Sequence, residues 1–326
     1  MPAYHPPFQL THRMTAAMTQ IAELLGAWKA VNQNTLLPEL RRSNRIRTIQ
    51  ASLAVEQNTL TLEQVTAVLD GKIVMGSPRE IQEVRNAFAA YEAMERWHPH
   101  RLADLLSAHA LLMAGLLDDA GQLRRSDAGI YQGKRLVHMA PPASQLPRLI
   151  QNLLRWLETT DAHPLIASAA FHYEFEFIHP FSDGNGRMGR LWQTLILSRW
   201  QPMLAYLPVE TVIKSRQQEY YLQLGLADGQ SDCSTFIEFL LTAIETSLHE
   251  AINLEMRVKT RVQTRVKTPQ QILELLKQHP EFSLAEVARA IGRSVSTVER
   301  AVARLQQENR LRYHGPKKGG KWEVLP

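Results

Sequence analysis

Apolar residues recur three and four positions apart through most of residues 10–250, and this spacing restricts the chain to a mainly helical fold. Segments 18–28, 80–94, 100–117, 146–157, 165–177 and 235–248 carry the pattern most clearly. Ser77-Pro78 and His163-Pro164 precede two of them, and proline is favoured in the first helical turn. Strand signals are scarce. Residues 131–139, YQGKRLVHM, ended by Pro141-Pro142, are expected to form a short hairpin or flap.

The last seventy residues follow a different pattern. Residues 257–268 repeat a four-residue unit, RVKT-RVQT-RVKT, which places Val258, Val262 and Val266 along one helical stripe. A linker helix over 251–268, or the end of the preceding helix, follows from this. Residues 269–278 are expected as a helix, and Ser283 with Glu286 forms a capping-box pattern ahead of a second helix at 284–291. After Gly292-Arg293, Ser294 or Ser296 starts a third helix through about residue 308. LRYH, GPKKGG and KWEVL then form a β-hairpin. Three helices closed by a hairpin describe a winged helix-turn-helix over 269–326.

Charge separates the same segment. The chain carries +5 overall, but residues 257–326 hold 15 Lys and Arg against 6 Asp and Glu, or +9, leaving the rest at −4. A basic module of this kind meets a polyanion. Arg293, Ser296, Arg300 and Arg304 on the third helix and Lys317, Lys318 and Lys321 on the hairpin are the candidates to contact DNA. Protein contact or homodimer formation is the other use of such a fold. Cys233 is the one cysteine, so no disulfide is expected, and a reducing, cytoplasmic setting fits. No leader or membrane span is expected. No His/Cys spacing suggests zinc.

The chemistry concentrates in HPFSDGNGRMGR at 179–190, a loop between two apolar helices. Gly184 and Gly186 let backbone N–H groups turn inward toward an anion, and the following helix adds its positive end. Arg187 and Arg190 share one face of the first turn and suit a polyphosphate. Asp183 offers a hard oxygen for Mg²⁺. His179 can take the proton that an attacking hydroxyl must lose. Neither a Walker A nor a kinase Gly-rich loop occurs.

This segment resembles the Fic family signature H-x-F-x-[D/E]-G-N-G-R-x-x-R at every fixed position: His179, Phe181, Asp183, Gly184, Asn185, Gly186, Arg187 and Arg190. The resemblance extends over roughly residues 10–250 through Trp28, HALLMAGLLDD at 109–119 and GIYQGKRLVHMAPP at 129–142. It implies a mainly α, Fic-type helical bundle with a small β-hairpin flap, with a winged-helix domain appended. The expected domains are a helical region at 1–75, a catalytic core at 76–250, the linker helix and the winged helix. It also implies an activity: transfer of AMP from ATP, with Mg²⁺, to a Ser, Thr or Tyr hydroxyl of a target protein. His179 would be the general base, Asp183 the Mg²⁺ ligand, and Gly184, Asn185, Gly186, Arg187 and Arg190 the phosphate site. Phe181 would anchor the loop. The flap near 131–139 would align the target by strand pairing, with His138 facing solvent. Tyr220 and Tyr221 are the adenine-side candidates, a core role being the alternative.

SLAVEQN at 52–58 resembles the family's inhibitory helix, [S/T]-x-x-x-E-[G/N], through Ser52 and Glu56 in a helix near 45–57. Gln57 stands where Gly or Asn is expected. Glu56 would pair with Arg190 and occupy the outer-phosphate site, or else position water to remove AMP. A DNA-binding regulator that senses nucleotide, and an enzyme with another donor, are the remaining readings.

Overall fold

The computed structural model describes residues 4–32, 36–132, 135–316 and 319–325, the side chains at 131, 132, 135, 137 and 256–267 excepted. Helices dominate. In chain order they are α1 (His12–Val31), α2 (Pro38–Val55), α3 (Leu62–Leu69), α4 (Pro78–Ala93), α5 (Leu102–Leu112), α6 (Leu146–Thr159), α7 (Pro164–Ile178), α8 (Asn185–Trp200), α9 (Val209–Ser215), α10 (Gln217–Gln230), α11 (Ser234–Gln278), α12 (Leu284–Ala290) and α13 (Val295–Gln307). Two antiparallel hairpins complete the described fold: β1 (Gly129–Gln132) with β2 (Arg135–Met139), and β3 (Leu311–His314) with β4 (Lys321–Val324). No described helix is long and apolar enough to cross a membrane.

The chain divides into two compact units, Met1–Ile252 and Asn253–Pro326. In the first, α7 is the central helix. Its apolar residues surround the axis, as a helix enclosed on all sides requires, and Leu165, Phe171, Phe175 and Ile178 are all buried. Two of the polar groups that this enclosure traps are bonded: His172 meets Gln193 and the Tyr220 hydroxyl, and Glu174 accepts from the Tyr4 hydroxyl. Burial drives the Glu174 pKa up to about 7. α6 is amphipathic instead, burying Leu146, Ile150, Leu153 and Leu154. Residues from α1 and α2 share this core with α7 and α8.

Helix starts follow local chemistry. Ser77 and Glu80 close a capping box at α4, as do Thr61 and Gln64 at α3 and Ser283 and Glu286 at α12. Each such cap stabilises its helix by about 1 kcal/mol. The helical pattern at 100–117 stops early, with α5 ending at Leu112, because Gly115 takes a left-handed conformation (φ 70°) and turns the chain.

In the second unit, Ile272, Leu276, Val287, Val298, Val302 and Leu305 form a separate small core under β3 and β4. This is the winged-helix arrangement of three helices and a hairpin. The repeat continues the preceding helix, and one expectation is corrected: the helix at 269–278 is not separate but the end of the same helix, α11, which runs through Pro269. The repeat at 257–268 contains no breaker, and a lone proline removes only one backbone bond from a helix this long.

Candidate active site

The loop joining α7 to α8 is shaped by its own side chains. Asn185 Oδ1 accepts from the Phe181 N–H and Asn185 Nδ2 donates to the Phe181 carbonyl, both at 2.9 Å. This reciprocal pair closes residues 181–185 into a tight turn. Phe181 is fully buried and stacks on His109, ring centres 3.6 Å apart. His109 Nδ1 accepts from the Gly121 N–H, so its Nε2 carries the proton and donates to the Asp183 carbonyl (3.0 Å). Gly184 is the N-cap of α8 with φ 84°, and a side chain there would strike Met113. Asn185 shapes the loop through its amide. Its backbone N–H, with those of Gly186 and Arg187, stands at the open end of α8 without an intrahelical acceptor.

His179 caps the C-terminus of α7 in the left-handed region (φ 49°). Holding a non-glycine residue there costs about 1–3 kcal/mol. Arg124 secures it. Its guanidinium donates to the carbonyls of His179 (2.8 Å), Ser126 (2.8 Å) and Pro141 (2.6 Å), and its backbone N–H to the Pro180 carbonyl. Burial lowers the His179 pKa to about 4, assisted by the charges on His138 and Arg124, while the Glu176 carbonyl opposes the shift. The ring is neutral at physiological pH, and its buried Nδ1 has no protein partner. That is the state a general base needs.

Two arginines face the open end of α8. Arg187 reaches Asp183 Oδ1 (3.0 Å) and Glu83 Oε1 (3.4 Å). Arg190, fully buried, donates to Ser52 Oγ (3.0 Å), the Ser52 carbonyl (3.1 Å) and Glu56 Oε1 (2.7 Å). Burial works against the Arg190 charge, and the Glu56 carboxylate outweighs it, so the pKa is raised. Two buried guanidinium nitrogens, Arg187 Nε and Arg190 Nη1, have no protein acceptor. Orphaned donors beside a helix N-terminus mark an anion site.

Glu56 sits over this cradle: a methyl group added at Gly186 would overlap its Oε1. α2 begins at Pro38, earlier than expected, and ends just before Glu56, which caps it. Lys214 donates to the Ala54 carbonyl (2.7 Å) and Gln217 to the Val55 carbonyl (2.8 Å), satisfying the open end of the helix. Gln57 then takes φ 69°. A left-handed residue is required here, which accounts for the Gly or Asn of the pattern. Gln57→Gly is expected to stabilise the chain by about 1 kcal/mol. A rise in the urea midpoint at unchanged slope checks this, and a fall refutes it.

Asp183 lies at the mouth of the cradle, 42% exposed, its Oδ2 3.1 Å from Arg79. The described residues contain no group of three or more His, Cys, Asp or Glu able to hold a metal. One accessible carboxylate is the hard oxygen donor here that could hold Mg²⁺, an ion that keeps several waters.

The adenine-side expectation is corrected for Tyr220. Its ring is enclosed among His172, Phe236 and Phe239, and its hydroxyl meets His172. Tyr221 presents its ring to solvent, 44% exposed, next to the end of α2. His138 is also corrected. It is held by Asp228 and the Phe177 carbonyl rather than facing solvent. Arg79, His109 and Arg124 escaped sequence reasoning, because single residues far from the motif give no spacing signal.

Arg293 in the turn before α13, Ser296, Arg300 and Arg304 on α13, and Lys321 on β4 are exposed. Arg304 pairs with Glu308 (2.7 Å). Lys317 and Lys318 lie outside the described residues.

The model described as the Fic/DOC family matches residues 99–197, and one described as winged helix-turn-helix DNA-binding matches 266–312. Curated relatives include "Protein adenylyltransferase Fic" of Drosophila mojavensis, 28% identical over 71% of this chain and 46% of that protein. "Protein adenylyltransferase fic-1" of Caenorhabditis briggsae is 30% identical over the same shares. The chain thus spans about half the length of the curated relatives it matches. Among solved structures, a Fic family protein from Desulfovibrio desulfuricans G20 is 48% identical with TM-score 0.78, covering 99% of this chain and 98% of that one. Fic-1 from C. elegans, at 23% identity and TM-score 0.60 over 75% of this chain and 74% of that one, shares the fold.

Proposed function

We propose, from the premise that the chain belongs to the Fic family, that it is a protein adenylyltransferase held in check by its own helix α2. The carrying observation is one assembly at the N-terminus of α8: a neutral, buried His179, free backbone donors, and two arginines with unmet N–H groups. ATP is the co-substrate that this arrangement fits. His179 takes the proton from a target hydroxyl as the oxygen attacks the α-phosphorus. The bond from the α-phosphorus to the bridging oxygen breaks, and pyrophosphate leaves. AMP stays on the target's Ser, Thr or Tyr. The α8 N–H groups of Asn185 and Gly186 hold the phosphates, and Arg187 and Arg190 take the outer ones. Asp183 would hold Mg²⁺, which neutralises phosphate charge when bound.

Glu56 restrains this reaction by occupying Arg190. Ser52 supports the pair by holding the same guanidinium. Nucleotide still enters, but its reacting phosphate is out of line. The decisive experiment is incubation of Glu56→Gly protein with Mg²⁺, α-labelled ATP and cell extract. Label on protein that vanishes in Glu56→Gly/His179→Ala supports the reading. Label that persists without His179 overturns it.

The second unit supports an added role in binding DNA, favoured by the exposed basic face of α13 and the match over 266–312. Arg300→Ala is expected to weaken retardation of duplex DNA similarly across sequences and to lower the salt slope by about 1. No binding by the intact protein at low salt overturns this role.

A further inference from the structure

The β1–β2 flap pairs with no other described strand, so its place depends on what its side chains hold. Arg124 fixes the base, bonding carbonyls on both sides of the hairpin, Ser126 and Pro141. Further out, His138 on β2 joins two helices. Its Nδ1 lies 2.8 Å from Asp228 Oδ2 on α10, and its Nε2 lies 2.8 Å from the Phe177 carbonyl on α7. The Tyr173 hydroxyl donates to the other oxygen of Asp228 (3.1 Å). A carbonyl can only accept, and a carboxylate already receiving a tyrosine proton accepts too. Both ring nitrogens must therefore donate, so the bonded ring is an imidazolium.

We propose that His138 is a positioning residue for the acceptor protein: its charged ring latches the flap to α7 and α10 and sets where a target strand pairs beside His179. This rests on reading the chain as a transferase acting on protein. The groups facing the ring are Asp228 from α10 and Glu176 and the Phe177 carbonyl from α7, with Tyr173 bonded to the far side of Asp228 and neutral His179 beyond. Burial alone would discharge the ring. The bonds to Asp228 and the Phe177 carbonyl, with Glu176 adding to them, outweigh burial and raise its pKa above the ordinary histidine value. The latch is therefore complete below the free-histidine range and is lost as pH rises through the raised value. A neutral ring keeps one donor and turns a lone pair toward one acceptor.

The test uses the full chain carrying Glu56→Gly, with His138→Gln or Asp228→Asn added. Amide hydrogen exchange over residues 135–140, corrected for its intrinsic pH dependence, should be about tenfold faster in either variant at pH 6, the loss of one charge-assisted bond. The parent should approach the variants as pH rises. With cell-extract protein as acceptor probe, half-saturation by extract should shift about tenfold while half-saturation by ATP stays fixed. Equal exchange in parent and variants overturns the latch. Extract and ATP dependences that shift together overturn the acceptor role. An exchange contrast without any labelling in the Glu56→Gly parent overturns the transferase reading, and the acceptor role with it.

Discussion

Glu56→Gly protein is expected to label targets with AMP on the order of 10²-fold faster than the parent chain, the scale set by misplacing a reacting group by about 1 Å. The geometry gives the reason. Arg190 is buried and its Nη2 is committed to Glu56 at 2.7 Å, so the outer phosphates cannot take their partner. Removing the carboxylate frees that donor and clears the space over Gly186. The Ser52 bonds still hold the guanidinium in place. The measurement is initial rate of labelled-AMP incorporation at saturating ATP. An unchanged or lower rate, with the variant folded, refutes restraint by this helix. A rate that rises together with loss of AMP release from pre-modified target would assign the same glutamate to the reverse reaction.

Removing the base should be as visible. In the released protein, His179→Ala is expected to lower the rate about 10²–10⁴-fold while leaving ATP binding within a few-fold, because the phosphate site lies on α8 and not on this ring. The pH dependence follows from the same burial. With its pKa lowered to about 4, His179 is deprotonated through the neutral range. At saturating acceptor, the rate should therefore be flat near neutrality and fall only as pH drops toward 4. An acid limb near pH 6.5 would mean that the ring is solvated and the cradle open. A rate that survives His179→Ala would move the proton transfer elsewhere.

Much of this was legible in the sequence, for identifiable reasons. The motif at 179–190 is short and contiguous, so local spacing carries its geometry. The helix register of Ser52 and Glu56 placed both on one face, and the structure brings both to Arg190. The winged helix was readable because its caps and turns are local signals. What escaped depends on tertiary contact. Nothing in the residues around position 124 indicates that its guanidinium will bind four carbonyls. His138 looks like a solvent residue on a polar hairpin until α10 brings Asp228 against it. Tyr220 and Tyr221 are neighbours in an aromatic pair, and only the packing of Phe236 and Phe239 decides which is enclosed.

The overlap between Glu56 and the space above Gly186 makes the carboxylate a tethered ligand of Arg190. Its effective concentration is set by a short, capped helix end and so reaches about the millimolar range or above. Because nucleotide would enter beside it, a few-fold change in free nucleotide would leave the Glu56–Arg190 pair in place. Control passes instead to whatever loosens the end of α2, where Lys214 and Gln217 hold the last carbonyls. On the proposed reading, release of this helix end, and not the supply of nucleotide, would raise the rate.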